Sequence, residues 1–208
     1  MTEAGDEKLR AAFAALGSSD AYDAGATALP CGLYAVGGGE RLCGYALTVH
    51  LSPGDNLGLQ AAATRAQPGD VIVAVGGGEE CALVGELLSL RAKVRGAVGI
   101  VVDGFARDAR ALALPVFARG TCPRKPRRQD FLSLGQSVDL LGLRIKPKDL
   151  VLADEDGIVL VPRQEARDIL ARAKAVLADN ERTRRAIEQG EDLSWLETAL
   201  RKAPSASA

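Results

Sequence analysis

The strongest constraint on this chain is a pair of short apolar runs separated by glycines and a helical stretch. Val71-Ile72-Val73-Ala74-Val75 contains no polar residue and runs into Gly76-Gly77-Gly78, and the second run extends from Ala97 to Val102. Apolar runs of this length read as strands, and such runs on either side of a helix predict a βαβ unit. Both loops then leave the same end of a parallel sheet, the end at which α/β proteins hold their ligands. Glu86 follows the first strand in Gly85-Glu86-Leu87-Leu88, Arg107-Asp108 follow the second, and twenty residues separate Glu86 from Arg107. Two carboxylates and one arginine are therefore predicted to share a crevice.

The remaining pattern completes one α/β domain. Leu9, Ala12, Phe13 and Leu16 recur at helical spacing, with Gly17 placed to end that helix. Gly32 to Val36 and Gly44 to Val49 read as strands, and Ser52-Pro53-Gly54-Asp55-Asn56 as a turn whose Asp55 or Asn56 caps a helix running to about Ala66. Pro147-Lys148-Asp149 feeds Leu150 to Ala153, and Asp154-Glu155-Asp156-Gly157 is a hairpin turn into Ile158 to Val161. Beyond Gln164, the residues Ala166, Ile169, Leu170, Ala173, Val176 and Leu177 form one apolar helical stripe, set to pack on the parent domain or on another subunit. Residues 203–208 are expected to be a disordered tail.

Composition excludes several classes. A length of 208 residues suits one domain, and a formal net charge of -1 gives no bulk attraction to nucleic acid or membrane. Cys31, Cys43, Cys81 and Cys122 form no CxxC pair and His50 is the lone histidine, which argues against structural zinc and for reduced thiols. The first ten residues carry acids where a signal peptide carries an apolar run, and no stretch reaches membrane-spanning length. The expectation is a cytoplasmic protein with neither a nucleic-acid nor a membrane partner. The basic stretch Arg119 to Arg128 has no aromatic stacking partners nearby and reads as a solvated connection.

The candidate site admits plain readings too. Asp108 also fits a cap for the helical stretch Asp108 to Leu112, and Arg107 an ordinary ion-pair partner for Glu86. The glycine run matches neither phosphate-loop pattern. The following helix starts near Glu79 or near Gly85; in the second case, N–H groups around Glu86 and Leu87 point at a substrate carboxylate. Asp103 reads as a turn residue with Gly104 or an outer acid, Cys81 as structural, and His50 as a packed or surface histidine. One or two carboxylates, with water and substrate oxygens, are what a magnesium ion takes.

At these residues the chain resembles the RraA-like family, which includes 4-hydroxy-4-methyl-2-oxoglutarate aldolases and regulators of ribonuclease E activity. The resemblance runs from about Asp20 to Ile187. It takes in Gly44 to Val49, Pro53-Gly54-Asp55-Asn56, Pro68-Gly69-Asp70-Val71, the glycine run and Val102-Asp103-Gly104-Phe105-Ala106-Arg107-Asp108. It continues through Leu114 to Gly120 and Ala153 to Ile158. The family's aldolases share an acid, twenty residues, then Arg-Asp; here Glu86 fills an acid position that is often aspartate.

The resemblance implies an α/β fold: a compact β/β/α, swivelling-domain-like single domain over residues 1–163 with a C-terminal helical extension, 164–202, at a subunit interface. It implies a homotrimer or homohexamer, with Glu181, Glu188 or Glu191 reaching a neighbouring site. It implies Mg²⁺ or Mn²⁺ held by Asp108, Arg107 facing the keto oxygen of a 2-oxo acid, and Glu86 orienting a metal-bound water as base. Backbone N–H groups of Gly85, Glu86, Leu87 and Leu88 would anchor the substrate. The implied reaction is class II aldol cleavage to pyruvate through an enolate, with oxaloacetate decarboxylation as companion. A Schiff-base route has no candidate, since no lysine lies inside a predicted apolar strand. Two alternatives stand beside it: a non-catalytic regulator that binds a ribonuclease, and a different metal-dependent lyase or hydrolase on the same scaffold.

Overall fold

The computed structural model describes residues 3–76 and 78–191, so Gly77, residues 192–202 of the C-terminal extension and the tail at 203–208 lie outside the described residues. The chain opens with helices α1 (Glu3–Ala14) and α2 (Ser18–Asp23), then strands β1 (Thr27–Ala28), β2 (Tyr34–Gly37) and β3 (Leu42–Leu51). Helix α3 (Leu57–Arg65), β4 (Asp70–Val75), β5 (Ala82–Val84), α4 (Glu86–Val94), β6 (Gly99–Val102) and β7 (Phe105–Ala106) follow. Next come β8 (Val116–Ala118), β9 (Gly120–Thr121), β10 (Phe131–Leu134), β11 (Val138–Leu140) and β12 (Leu143–Ile145). The hairpin β13 (Leu150–Asp154) and β14 (Gly157–Val161) and the long helix α5 (Ala166–Glu188) complete the described chain.

The main sheet runs β1-β14-β13-β3-β4-β6-β8-β2, with β10 also paired to β3. Its centre, β3-β4-β6-β8, is parallel, and the flanking pairs are antiparallel. The βαβ expectation holds: Val71 to Ala74 register with Gly99 to Val102 across the β4–β6 pair. Period two divides β4 between two cores. Ile72 and Ala74 pack under α3 and α4 with Leu59, Leu88 and Ala92, whereas Val71 and Val73 face Phe117 and the β11–β12 hairpin. Helix layer, central sheet and small β layer make the expected β/β/α fold.

The stripe on α5 packs on the chain's own body. Ile169 and Ala173 are fully buried with Phe13 of α1, Ala21 of α2 and Leu152 and Val159 of the hairpin. Farther along α5, Leu177 and Ile187 are exposed. No helix among the described residues is long and apolar enough to cross a membrane, and all four cysteines are free. Burial pushes the Cys43 thiol up to about 12 and raises that of Cys81, so neither is an activated nucleophile. His50 is exposed on β3.

Candidate active site

A second, smaller sheet brings the sequence-predicted residues together. Strands β5, β7 and β9 lie parallel, with Ala82 opposite Phe105 and Val84 opposite Ala106. The chain leaves β5 directly into Gly85-Glu86 and leaves β7 directly into Arg107-Asp108. The Arg107 N–H donates to the Val84 carbonyl at 2.9 Å, which holds the two exits side by side. The twenty-residue spacing is thus the length of α4, β6 and their turns, returning the chain to a parallel neighbour.

Helix α4 starts at Glu86, with Gly85 as its extended N-cap. That settles the choice of start; β5 separates it in the chain from Gly76 and Gly78, neither of which lines the cleft described below. The Gly85 N-cap supplies no side-chain hydrogen bond, and the Glu86 N–H has only a long contact to Asp108, so the first turn keeps donor capacity for a ligand, with the helix dipole behind it. Gly85 is required by contact rather than by conformation. A Cβ there would lie 2.9 Å from Asp108 Oδ2 and 3.2 Å from Arg107 Cγ.

Asp108 stands at the N-cap position of a short 3-10 turn, but its side chain does not do the capping. Its backbone is left-handed (φ 56°, ψ 38°) and its carboxylate makes no capping bond to the short 3-10 turn Ala109–Ala111. A non-glycine residue in that region costs conformational energy and is frequent at functional sites. Asp108 Oδ2 instead lies 3.4 Å from the Glu86 N–H and 3.5 Å from Arg107 Nε. Both contacts are long, so the carboxylate keeps spare acceptor capacity. Among the described residues Arg107 forms no ion pair with Glu86; its partner is Asp108.

These groups open into a cleft of about 300 Å³ lined by Gly85, Glu86, Leu87, Leu88, Arg107 and Asp108. The same cleft has walls that sequence reasoning missed: Asn56 just before α3, Gln60 from α3, Arg91 from α4, and Pro126 and Arg128 from the basic loop. The stretch Arg119 to Arg128 is largely exposed, as expected of a solvated connection, and it is also pinned. Asn56 N–H donates to the Arg127 carbonyl, Arg127 N–H to Gly54, and Gln129 N–H to Asp55 Oδ2. Arg127 also clamps Glu79 at 2.8 and 3.0 Å, and that bond holds the Glu79 carboxyl below its ordinary range. Asp55, with Oδ1 on the Leu57 N–H, is the side chain that caps α3, while the Asn56 amide donates to Leu83. Asp103 is consumed by Arg119 at 2.5 Å.

A larger hollow of about 520 Å³ lies between α2, residues 29–33 and the β13–β14 turn. No basic side chain lines it, and its buried acid, Asp154, is fully engaged by Ser18 and Asp156. This hollow therefore offers an anion no basic side chain, unlike the smaller cleft with its Arg91, Arg107 and Arg128.

Residues 17–160 match the RraA-like (Aldolase/RraA) family, a span of more than two thirds of the chain. The chain belongs to the RraA-like family. A relative from Halalkalibacterium halodurans, provisionally named a 4-hydroxy-4-methyl-2-oxoglutarate aldolase, is 36% identical over 81% of this chain and 82% of its own. Among solved structures, an uncharacterized protein from Pseudomonas syringae pv. tomato superposes with a TM-score of 0.82 at 27% identity, covering 93% of this chain and 94% of that one. RraAS2 of Streptomyces coelicolor, described as an unusual member of the RNase ES inhibitor RraA protein family, gives a TM-score of 0.75 at 30% identity, covering 86% and 96%. The RraA-like family thus holds both names, and the cleft has to decide between them.

Proposed function

We propose that this RraA-like protein is an aldolase that cleaves a 4-hydroxy-2-oxo acid, such as 4-hydroxy-4-methyl-2-oxoglutarate, to pyruvate. The observation that carries this reading is the under-satisfied Arg107–Asp108 pair at a helix N-terminus that it touches only through one long contact. A protein that acts only as a docking surface has no use for a left-handed aspartate and N–H groups with donor capacity to spare in a concave site.

The donor set fits the divalent metal that the family resemblance implies. Among the described residues no three His, Cys, Asp or Glu side chains converge. One carboxylate, Asp108, with Glu86 nearby and substrate and water oxygens completing the shell, suits Mg²⁺ or Mn²⁺. When bound, such an ion supplies Lewis-acid polarisation of the 2-oxo acid's carboxylate and keto oxygens.

The chain's own residues account for the rest. The first-turn N–H groups of α4 hold the substrate carboxylate. Glu86 takes up the proton of the C4 hydroxyl through water. As the C3–C4 bond breaks, its electron pair passes to the C2 oxygen, a carbonyl forms at C4, and protonation at C3 completes pyruvate. Arg107 faces the oxygen on which charge grows, so it stabilises the transition state more than the ground state. Loss of CO₂ from oxaloacetate passes through the same enolate. No lysine lines the cleft, which leaves a Schiff-base route without a residue.

The exposed Leu87, Leu90 and Val94 form an apolar strip along α4 at the cleft's rim. We place a second copy there, in a trimer or paired trimers. Glu181, Glu188 and Glu191 lie outside this chain's own cleft; each is exposed or half-buried, so any one that serves catalysis serves a neighbour's site. The test is pyruvate release from 4-hydroxy-4-methyl-2-oxoglutarate and from oxaloacetate, with Mg²⁺ and with EDTA. Metal-dependent release from both is expected. No release from either removes the aldolase reading and leaves the ribonuclease-binding regulator or a different metal-dependent lyase or hydrolase.

A further inference from the structure

Asp108 keeps a left-handed backbone, and such strain persists only where the surrounding structure over-determines it. The stretch that follows Asp108 is held on two sides. On one side stands the end of β2, where a Cβ at Gly37 or Gly38 would collide with the carbonyl oxygens of Ala109 and Leu114. On the other stands α4, and the tie there is one side chain, Ser89.

Ser89 is fully buried. Its Oγ lies 2.8 Å from the Glu86 carbonyl oxygen and 2.9 Å from the Ala113 nitrogen. The carbonyl can only accept and the amide can only donate, so the hydroxyl gives its proton to Glu86 and accepts the Ala113 N–H. A helical serine that bonds back to its own helix is common and needs only its proton. Here the lone pair is used as well, by a residue twenty-four positions away in the chain. Among the described residues this is the one hydrogen bond of ordinary length between α4 and the stretch 108–114. The other contact, from the Glu86 N–H to Asp108 Oδ2, is 3.4 Å long. The bridge therefore joins the two halves of the cleft: the first turn of α4 with its N–H groups, and the exit from β7 that carries Arg107 and Asp108.

We propose that Ser89 is a positioning residue for the 2-oxo acid cleavage put forward above, on which this inference rests. Its hydroxyl fixes the spacing between the α4 N–H groups that hold the substrate carboxylate and the Arg107–Asp108 pair. Ser89 itself does not line the cleft, so it acts through its two backbone partners. Without the hydroxyl the two halves drift, although every group that faces the substrate is still present.

The test is calorimetric binding of oxalate at saturating Mg²⁺, because oxalate offers the same planar set of oxygens as the pyruvate enolate and undergoes no cleavage. Ser89→Ala is expected to bind oxalate about tenfold to a hundredfold more weakly than the wild type and to lose turnover of oxaloacetate by a similar factor, the scale of small misplacements. Ser89→Cys fills the same volume with a weak donor and acceptor and should show the same loss. Thr48→Val is the comparison: it removes another fully buried hydroxyl, bonded to the Gln136 carbonyl at 2.7 Å. It should lower the melting temperature and leave oxalate affinity and turnover at wild-type values. Wild-type oxalate affinity in Ser89→Cys, or a loss in Thr48→Val as large as in Ser89→Ala, overturns the positioning role and leaves the 2-oxo acid reading standing. A wild type that neither binds oxalate nor releases pyruvate removes that reading, and the role of Ser89 with it.

Discussion

Two arginine–carboxylate pairs stand at the same end of this molecule, and they are built differently. Arg127 and Glu79 meet through two bonds of 2.8 and 3.0 Å, and the arginine draws the glutamate's pKa down. Arg107 and Asp108 meet through one long contact of 3.5 Å, with the aspartate on a left-handed backbone. The first pair spends its hydrogen-bonding capacity internally and pins a loop. The second leaves that capacity largely unspent, at the mouth of a helix whose N-terminus it touches only through one long contact. Satisfaction, rather than charge or exposure, distinguishes the structural pair from the one proposed to act on substrate.

The largest effect should come from Arg107 and Asp108. Arg107→Ala should lower turnover about a hundredfold to a thousandfold, while stability, read from a denaturant midpoint, shifts by no more than about 1 kcal/mol. Comparable losses in both would make this pair structural as well. Asp108→Asn is the cleaner change at its position, because asparagine tolerates the left-handed backbone. It should abolish the response to added Mg²⁺ and leave the melting temperature nearly unchanged. Gly85→Ala tests the geometry without touching a charge. Its Cβ would intrude on Asp108 and Arg107, and turnover should fall about tenfold to a hundredfold, as small misplacements do.

The smallest effect should come from the clamp. Glu79→Gln should leave neutral-pH turnover nearly unchanged and loosen residues 122–130, which hydrogen exchange would report. The sign of its pH dependence follows from the depressed carboxyl. The clamp's stabilisation is complete above the ordinary value of 4.5 and is lost as pH falls through the lowered one. Wild type and Glu79→Gln should therefore differ in denaturant midpoint at neutral pH and converge in acid.

The features legible in the sequence were those with a period or a turn signature. The runs at β4 and β6, the β13–β14 hairpin and the apolar stripe of α5 each carried one, and the order strand, helix, strand implied that Glu86 and Arg107 meet. The actual device was not legible. Strands β5, β7 and β9 are two or three residues long, too short for alternation to show, yet they juxtapose the site. The glycine run drew attention by composition, yet neither Gly76 nor Gly78 lines the cleft. Arg91 was hidden because a basic residue late in a helix is expected for the dipole alone. Arg128 was hidden because nothing local shows that Asp55 ties down its loop.

The central claim is that Arg107 and Asp108 stabilise an enolate at the C2 oxygen of a 2-oxo acid. It is tested most directly by following exchange of the pyruvate methyl protons for deuterium in heavy water by NMR, with Mg²⁺ or with EDTA, since exchange needs the enolate and no second fragment. The account predicts rapid exchange by the wild type with Mg²⁺, none with EDTA, and none by Arg107→Ala. Exchange that persists in Arg107→Ala at the wild-type rate, or a wild type that never exchanges, would contradict it.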